Sequence, residues 1–299
     1  MTRSNFRKRF RFLTLSIIFV VAMALHAYSG EENKIRLIIR SDDIGSSHAA
    51  NRACIDSYTN GISRSVEVMV NCSWFPEAAK LLNEHPGYDV GVHLMLTSEW
   101  DHIKWRPLTI ARSITDENGY FFPMVWPSEN YPPEETLRGA DWDIKEIEAE
   151  LRAQIELAMK NIKNVTHLTT HMGFTSMHKD VDDLVKNLAT EYNIHIDPSY
   201  WGVKRMPGWK KEQTLEEKTD TFIQNLSELK PGIYMFVEHP AYDEPEMRAV
   251  SHKGNQHVAT DREHVTRIFT SERVLDAIEK YNIELIGYKD LKNIEKGKN

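Results

Sequence analysis

The segment Ile35-Arg-Leu-Ile-Ile-Arg-Ser-Asp-Asp-Ile-Gly45 joins a short apolar run to two adjacent carboxylates. Residues 37–39 have the composition of a buried strand, which is predicted to stop at Asp42 and Asp43. Gly45 then lets the backbone turn before a helical pattern begins. Two neighbouring carboxylates at the end of a strand repel each other unless a cation or a shared proton relieves the repulsion. Taken alone, the pair is also typical of a solvated turn, so its interpretation depends on the rest of the chain.

Strand and helix patterns alternate about seven times along the chain. The other strands are predicted at residues 65–71, 89–96, 165–171, 194–196, 233–237 and 284–286. Helices are predicted at residues 49–59, 75–84, 144–159, 181–192, 215–229 and 260–281. The last helix follows a Thr260-x-x-Glu263 capping signal. Such alternation predicts an α/β fold, either an open parallel sheet or a (β/α) barrel.

A single distorted, TIM-like (β/α) barrel of about seven strands is the favoured architecture. Polar, titratable residues recur at the C-terminal ends of several predicted strands, and a (β/α) barrel assembles its active site at that end. The irregular segment 97–140 follows the third strand, and a loop of this length in a compact domain is usually functional. The sequence has no Gly-x-Gly-x-x-Gly or Walker motif, so it does not support a phosphate-cradling site.

Residues 1–29 have the pattern of a signal peptide. The segment begins with a basic region of five Lys and Arg residues, continues with the apolar residues 12–25, and offers the small residues Ala27 and Ser29 before a cleavage point near Gly30. The apolar run is short for a membrane span, so an uncleaved anchor is the less favoured alternative. We therefore expect an exported protein, periplasmic or secreted and without stable membrane insertion, with residues 30–299 forming one domain.

The net charge limits the classes of partner that are expected, and the cysteine content limits the kind of fold. The formal net charge of the whole chain is −7, and removing residues 1–29, which carry five basic groups and no acidic ones, makes it −12. An acidic chain without basic runs argues against nucleic acid as a partner. Cys54 and Cys72 are the only cysteines in the sequence, so the fold is not built on disulfides. Whether the two pair is left open by their spacing.

Five titratable residues stand at predicted strand ends: Asp42, Asp43, His93, His171 and His239. A single histidine at a strand end is usually a hydrogen-bonded structural residue. Here the pair Asp42-Asp43 and the three histidines mark four strand ends on the same side of the predicted sheet, which indicates a shared site instead. A carboxylate with two imidazoles suits Zn²⁺ or a similar divalent ion and leaves positions free for water and substrate.

The same segments resemble the motifs of a known family, the YdjC-like (ChbG-type) carbohydrate deacetylases. Arg40-Ser-Asp-Asp-Ile-Gly45 is similar to its Asn-Ala-Asp-Asp-Phe-Gly signature, and residues 61–71 are similar to its Gly-Ile-Val-Thr-Ser-Thr-x-x-Met-Val-Asn. Residues 90–97 resemble its Gly-x-His-x-x-Leu-Thr, and residues 166–171 its Thr-His-Leu-Asp-Ser-His. Residues 238–241 resemble its Cys/Thr-His-Pro-Ala. The motifs follow one another in the family's order and cover about residues 35–290.

The resemblance implies a distorted (β/α) barrel that removes acetyl groups from N-acetylated sugars with a divalent metal, Zn²⁺ or Mg²⁺. It assigns metal ligation to Asp43, His93 and His171, makes Asp42 the general base, and makes His239 an acid or a partner of the substrate carbonyl. A divalent cation would polarise the amide carbonyl and lower the pKa of its bound water toward about 7. The expected partner is therefore a carbohydrate. Oligomeric state is not predicted.

Three departures from the family motifs concern the same site. Arg40 and Ser41 replace Asn-Ala, Thr169 replaces the Asp of Asp-Ser-His, and residues 172–174 replace a His-rich continuation. The missing Asp is expected to have oriented His171, and outer partners of this kind tune a metal strongly. These changes affect the predicted substrate and metal, while the ligand set is complete.

Other residues have two interpretations each. His178 and His167 are either further site residues or, more simply, a surface and a structural histidine, while His48 is predicted to cap the first helix. Arg40 and Arg248 could meet an anionic sugar substituent or lie at the surface. Histidines in or beside polar segments are expected to be solvated: His252, His257 and His264. Tryptophans in the loops either stack on sugar rings or pin the loops to the barrel: Trp100, Trp105, Trp126, Trp201 and Trp209.

Two rival functions follow from the same residues. A sugar-binding protein that has lost catalysis would keep the scaffold, but binding alone has no use for a base beside the ligands, which speaks against it. A metal-dependent hydrolase of another bond, either a glycosidase or a phosphoesterase, is the second rival. A glycosidase needs two carboxylates placed across the scissile bond, and Glu238 is the one candidate for the second carboxylate.

Overall fold

The computed structural model describes residues 33–294, whose strands and helices alternate as predicted. The strands are β1 Ile35–Ile44, β2 Ser65–Val68, β3 Asp89–Leu94, β4 Val165–Thr170, β5 Lys204–Arg205, β6 Gly232–Glu238 and β7 Ile283–Leu285. The helices are α1 His48–Thr59, α2 Phe75–Glu84, α3 Ile144–Asn161, α4 Lys179–Glu191, α5 Leu215–Glu228, α6 Pro245–Arg248, α7 Val258–Phe269, α8 Glu272–Lys280 and α9 Tyr288–Leu291. Residues 1–32 and 295–299 lie outside this description, so the predicted signal peptide stays a prediction.

The strands form one parallel sheet in the order β4-β3-β2-β1-β6-β5, with β7 paired to the first part of β1. The sheet curves until its two edge strands line the same cavity of about 440 Å³, to which β4 contributes residues 168–170 and β5 contributes Lys204 and Arg205. We call this gap between β4 and β5 the seam. The curved parallel sheet confirms the predicted distorted (β/α) barrel.

The apolar residues 37–39 of β1 lie at the centre of the barrel. Leu37 and Ile39 have no exposed surface and pack into a cluster with Phe222 of α5 and Phe269 of α7. Ile38 points the opposite way, as strand alternation requires, and packs into a separate cluster. Burying a side chain of this size contributes about 1.5–3 kcal/mol. The strand predicted at residues 37–39 is thus confirmed, although β1 continues through both aspartates to Ile44.

The strand predicted at residues 194–196 is wrong. The amide of Ile194 bonds to the carbonyl of Ala189 instead, so this segment continues the turn that ends α4. The strand in this part of the sheet is β5, which lies between the predicted elements 194–196 and 215–229, where no strand was predicted, and pairs with β6 over only two residues. The apolar residues near 194 are buried by packing against the barrel rather than by strand pairing.

Two helix starts differ from the predictions. The first helix is capped by Ser47, whose hydroxyl accepts from the amide of Ala50, so the prediction that His48 caps it is wrong. The capping signal at Thr260 is also wrong, because α7 already begins at Val258 and contains that residue. The single helix expected at residues 260–281 is interrupted between α7 and α8.

Both cysteines are buried and free, so Cys54 and Cys72 form no disulfide. Burial raises the pKa of each thiol well above its usual value, which keeps the thiols protonated and unreactive. Within residues 33–294, no helix is both long and apolar enough to cross a bilayer.

Candidate metal centre

A cavity of about 680 Å³ opens at the C-terminal end of the sheet. We call it the metal cavity. The strands β1, β3, β4 and β6 all end at this face, as the barrel prediction required. All five residues predicted for the site line it: Asp42, Asp43, His93, His171 and His239.

Asp43 occupies a strained backbone position at the end of β1. Its φ is +72°, a region that non-glycine residues seldom adopt and that is concentrated at functional sites. The pairing of β1 with β2 shifts register between Ser41 and Ile44, so the two aspartates form a bulge. Arg262 of α7 donates to Asp43 Oδ2 at 2.7 Å. Burial alone would raise the pKa of Asp43, but the Arg262 guanidinium and nearby imidazoles hold it well below its usual value.

The second oxygen of Asp43 is free to bind a cation. Oδ1 is buried and has no hydrogen-bond partner among residues 33–294. His93 Nε2 and His171 Nδ1 each lie 3.6 Å from it, and one ligand atom from each of the three residues falls within 4.8 Å of the others. A buried, unsatisfied carboxylate oxygen facing two ring nitrogens fits a divalent metal.

The His93 ring is oriented by Thr169 of β4. His93 Nδ1 lies 2.8 Å from Thr169 Oγ1, which in turn donates to Glu67 Oε2 at 2.6 Å. The residue at position 169 therefore orients His93, and the expectation that it orients His171 is wrong. The cause is geometric: Thr169 is paired directly with His93 in the sheet, whereas His171 lies beyond the end of β4. Burial lowers the pKa of His93 to about 4, so its ring is neutral.

Glu99 orients the second imidazole. Its Oε2 lies 3.0 Å from His171 Nε2, which leaves Nδ1 directed at Asp43. Burial alone would lower the pKa of His171, but the carboxylates of Glu99 and Asp43 raise it to about 10. Glu99 was not predicted as a site residue, because it lies in the irregular segment 97–140, where no periodicity marks a side chain as inward-facing. The only available signal was the length of that loop.

Asp42 is held by Arg40. The guanidinium donates to both carboxylate oxygens, from Nε at 2.7 Å and from Nη2 at 2.8 Å. Such a bidentate pair fixes the direction of a carboxylate. Asp42 Oδ2 lies 3.8 Å from His93 Nε2, beside the proposed ligands. The surface interpretation of Arg40 is wrong, because its side chain is largely buried, is paired with Asp42 and lines the metal cavity. Contact of Arg40 with an anionic sugar substituent stays a prediction.

His239 follows β6, the strand that pairs with β1, and lines the metal cavity. Burial alone would lower the pKa of His239, but the Asp43 carboxylate and the adjacent Glu238 raise it above its usual value. Its Nδ1 lies 3.8 Å from Glu238 Oε2. The imidazole therefore favours its protonated form at the cavity wall.

Comparison with known proteins places the chain in a family. A family model described as YdjC-like protein matches residues 36–280. The chain belongs to the YdjC-like family. A carbohydrate deacetylase of Thermus thermophilus is 32% identical over 235 residues, which cover 72% of this chain and 80% of that protein. A carbohydrate deacetylase of Listeria monocytogenes is 28% identical over 265 residues, which cover 86% of this chain and 100% of that protein.

A solved structure agrees with the fold of this YdjC-like protein. The crystal structure of a candidate cellobiose-phosphate cleavage protein from Enterococcus faecalis V583 has a TM-score of 0.66 and 22% sequence identity. It covers 86% of this chain and 99% of that chain. At this identity the likeness shows the fold alone, and it agrees with the curved parallel sheet described above.

The loop tryptophans of this YdjC-like protein divide between the two interpretations. Trp105 is buried and packs its ring 6.0 Å from that of His171, so it pins the loop. Trp100 and Trp209 line the metal cavity, where Trp100 is buried and lies under the guanidinium of Arg262. Trp126 is exposed and lies under Arg138, outside the residues that line this cavity.

The remaining histidines lie in different places. His178 is half-exposed and caps α4 by accepting from the amide of Asp180, as a surface interpretation predicts. His167 is fully buried and belongs to the barrel interior. His252 is partly exposed, and it also lines the metal cavity with its ring 5.4 Å from that of Trp100, a position that its polar sequence context did not predict. Arg248 lies at the surface and pairs with its neighbour Asp243.

Proposed function

We propose that this protein is a metal-dependent carbohydrate deacetylase, which hydrolyses the acetamido group of an N-acetylated sugar to acetate and an amine. The observation that carries the proposal is the buried Asp43 Oδ1. It has no hydrogen-bond partner within residues 33–294 and lies 3.6 Å from ring nitrogens of both His93 and His171. The carbohydrate deacetylases among the relatives support the same chemistry.

Asp43, His93 and His171 would hold the metal. Two imidazoles with one carboxylate suit Zn²⁺ better than Mg²⁺, which prefers oxygen ligands. A bound divalent cation polarises an amide carbonyl and lowers the pKa of water toward about 7. The outer partners Thr169 and Glu99 support this assignment, because each ligand imidazole has its other nitrogen engaged.

Asp42 is assigned as the general base. Its position 3.8 Å from His93 Nε2 places it beside the ligands, where it can take the proton of the attacking water. The bidentate contact with Arg40 uses one lone pair of each oxygen, so a lone pair remains on each for the water. Arg40 therefore orients the base without blocking it.

His239 is assigned as the proton donor to the leaving amine. Amide cleavage expels an amine, which is a poor leaving group unless it is protonated as the bond breaks. Burial alone would lower the pKa of His239, but the Asp43 carboxylate and Glu238 raise it above its usual value, which favours an imidazole that can donate a proton. Removing a metal ligand and removing this donor should therefore impair different steps.

Three other functions are alternative outcomes of the test. A sugar-binding protein would need neither the base nor the donor. A glycosidase would need two carboxylates across the glycosidic bond. Of the further carboxylates in the metal cavity, Glu99 is bonded to His171 and Asp261 is paired with Lys218, which leaves Glu238. A phosphoesterase would use a divalent metal on a different substrate. The products distinguish these cases.

Acetate release is the first prediction. Purified protein loaded with Zn²⁺ is expected to release acetate from chito-oligosaccharides, since the metal polarises the amide carbonyl, and a chelator is expected to stop the release. The measurement is an enzymatic acetate assay together with mass spectrometry of the free amine. Nitrophenyl glycosides and nitrophenyl phosphate serve as controls for the rival hydrolases. Protein that carries metal yet releases no acetate from a broad panel of N-acetyl sugars would contradict the proposal.

Export is the second prediction, and it rests on the sequence of residues 1–29. In a bacterial host, the full-length chain is expected to leave the cytoplasm and to begin near Gly30 after cleavage. Cell fractionation and intact-mass measurement of the product check this. A chain without residues 2–29 should stay in the cytoplasm as the control. Full-length protein retained in the cytoplasm with an uncut N-terminus would rule export out.

A further inference from the structure

Thr169 and Glu67 form a partly buried chain of hydrogen bonds behind the proposed ligand His93. Its Nδ1 lies 2.8 Å from Thr169 Oγ1, and this hydroxyl donates to Glu67 Oε2 at 2.6 Å. Glu67 lies on β2, His93 on β3 and Thr169 on β4, so the contacts span three neighbouring strands. Glu67 has no exposed surface. Nothing in the mechanism proposed above uses this carboxylate.

The direction of this chain of hydrogen bonds fixes the tautomer of His93. The Thr169 hydroxyl has one proton, and Glu67 receives it. The hydroxyl oxygen is then left to accept, so His93 Nδ1 must carry the ring proton and donate it. His93 Nε2 is therefore unprotonated, and its lone pair is available 3.6 Å from Asp43 Oδ1. Without a carboxylate behind it, Thr169 could donate to Nδ1, and a proton on Nε2 would block ligation.

Glu67 also lies next to the residue that orients the base. Its other oxygen, Oε1, accepts from His167 Nε2 at 2.9 Å and lies 4.0 Å from Arg40 Nε. The same Arg40 nitrogen donates to Asp42. A fully buried carboxylate is destabilising unless its partners compensate for the lost hydration. Two neighbours of Glu67 also contact the site: Thr169 contacts the proposed ligand His93, and Arg40 contacts the proposed base Asp42.

We propose that Glu67 is a positioning residue of the metal centre, which acts through Thr169 to hold His93 in the tautomer that presents Nε2 to the metal. The inference rests on the proposed function in one respect, the assignment of His93 as a ligand. Thr169 stands where the family signature has Asp, whose carboxylate could accept from an imidazole directly. In this chain the carboxylate lies on the neighbouring strand β2, and the Thr169 hydroxyl bridges the distance.

The third prediction tests this assignment by metal affinity, independently of turnover. Glu67→Gln keeps the size of the side chain but lets its amide donate to Thr169, so the direction of the hydrogen bonds is no longer fixed. Isothermal calorimetry with Zn²⁺ is expected to give about 10–100-fold weaker binding, the usual loss when an outer partner of a metal ligand is removed. The double variant Glu67→Gln with Thr169→Asp moves the carboxylate next to His93 and is expected to recover most of that affinity.

A matched control separates positioning from general destabilisation. Glu150 is also a fully buried carboxylate, but it accepts from Asn71, Thr109 and Gln154, none of which lines the metal cavity or contacts Glu67. Glu150→Gln makes the same change of side chain and is expected to bind Zn²⁺ as the wild type does, with folding of all variants checked by circular dichroism.

Each result has a defined meaning. Equal affinities for Glu67→Gln and the wild type, equal losses in Glu67→Gln and Glu150→Gln, or no recovery in the double variant would overturn the role of Glu67 while leaving the proposed deacetylase intact. A wild-type protein that binds no divalent metal would contradict the proposed function itself and remove the basis of the inference.

Discussion

Replacing Asp42 by Asn is expected to lower kcat for acetate release by about 10²–10⁴-fold, the usual contribution of a positioned general base. Asn is similar in size and its carbonyl oxygen can still accept from Arg40, so the backbone and the metal site should persist. Metal binding should remain close to that of the wild type, because the proposed ligands are Asp43 and the two imidazoles. Steady-state acetate assays together with the metal content of the purified variant provide the measurement.

The control for this variant is a carboxylate outside the metal cavity. Asp243→Asn changes the same group at the surface, where Asp243 pairs with Arg248, and should leave kcat unchanged. If Asp42→Asn loses its metal as well as its activity, the roles of Asp42 and Asp43 have been exchanged. If it keeps full activity, another residue takes the proton.

The different roles proposed for the two aspartates, Asp43 as metal ligand and Asp42 as general base, could not be derived from their adjacency in the sequence. The sequence placed both at a strand end, and the structure places both in the metal cavity. Their separate surroundings come from distant parts of the chain and from a backbone angle. Asp42 meets Arg40, two residues away, whereas Asp43 turns at a φ of +72° to meet Arg262, which is 219 positions later. No local pattern encodes a contact of that separation.

The two orienting carboxylates were missed for different reasons. Glu99 lies in an irregular loop, where neither helical nor strand periodicity assigns a direction to a side chain. Glu67 lies inside the predicted strand 65–71, and the structure buries all four residues of the strand that forms there, β2. A charged side chain in such a strand is almost never buried without a partner. The partner itself, Thr169, lies 102 positions away and required the sheet register.

The fold was predictable where burial and local pattern agree. The runs that became β1, β3 and β6 are apolar and bounded by turn residues, and each is found as a strand. β5 had no such signal, because its two residues, Lys204 and Arg205, are polar and exposed. They form a strand by pairing with the edge of β6, a tertiary effect that propensity cannot supply.

Replacing His171 by Ala is expected to weaken metal binding by more than the roughly 100-fold that loss of an outer partner can cost, since a direct ligand is removed. Acetate release should fall to the background of the uncatalysed reaction. The change also leaves the carboxylates of Glu99 and Asp43 facing each other without the imidazole that separated them. Calorimetric titration with Zn²⁺ and an acetate assay at saturating metal measure the two effects, and His178→Ala, at a half-exposed histidine, is the control.

Proton release distinguishes loss of a ligand from simple misfolding. The pKa of His171, which Glu99 and Asp43 raise to about 10 against the effect of burial, means that the metal-free site holds a proton at pH 7. A metal can bind the ring only after that proton leaves, so wild-type affinity should rise with pH between 6 and 9. Titrations in buffers of different ionisation enthalpy should detect the released proton in the wild type and in His178→Ala. Metal binding to the wild type without proton release would show that His171 does not ligate the metal, because a coordinated imidazole nitrogen cannot keep its proton.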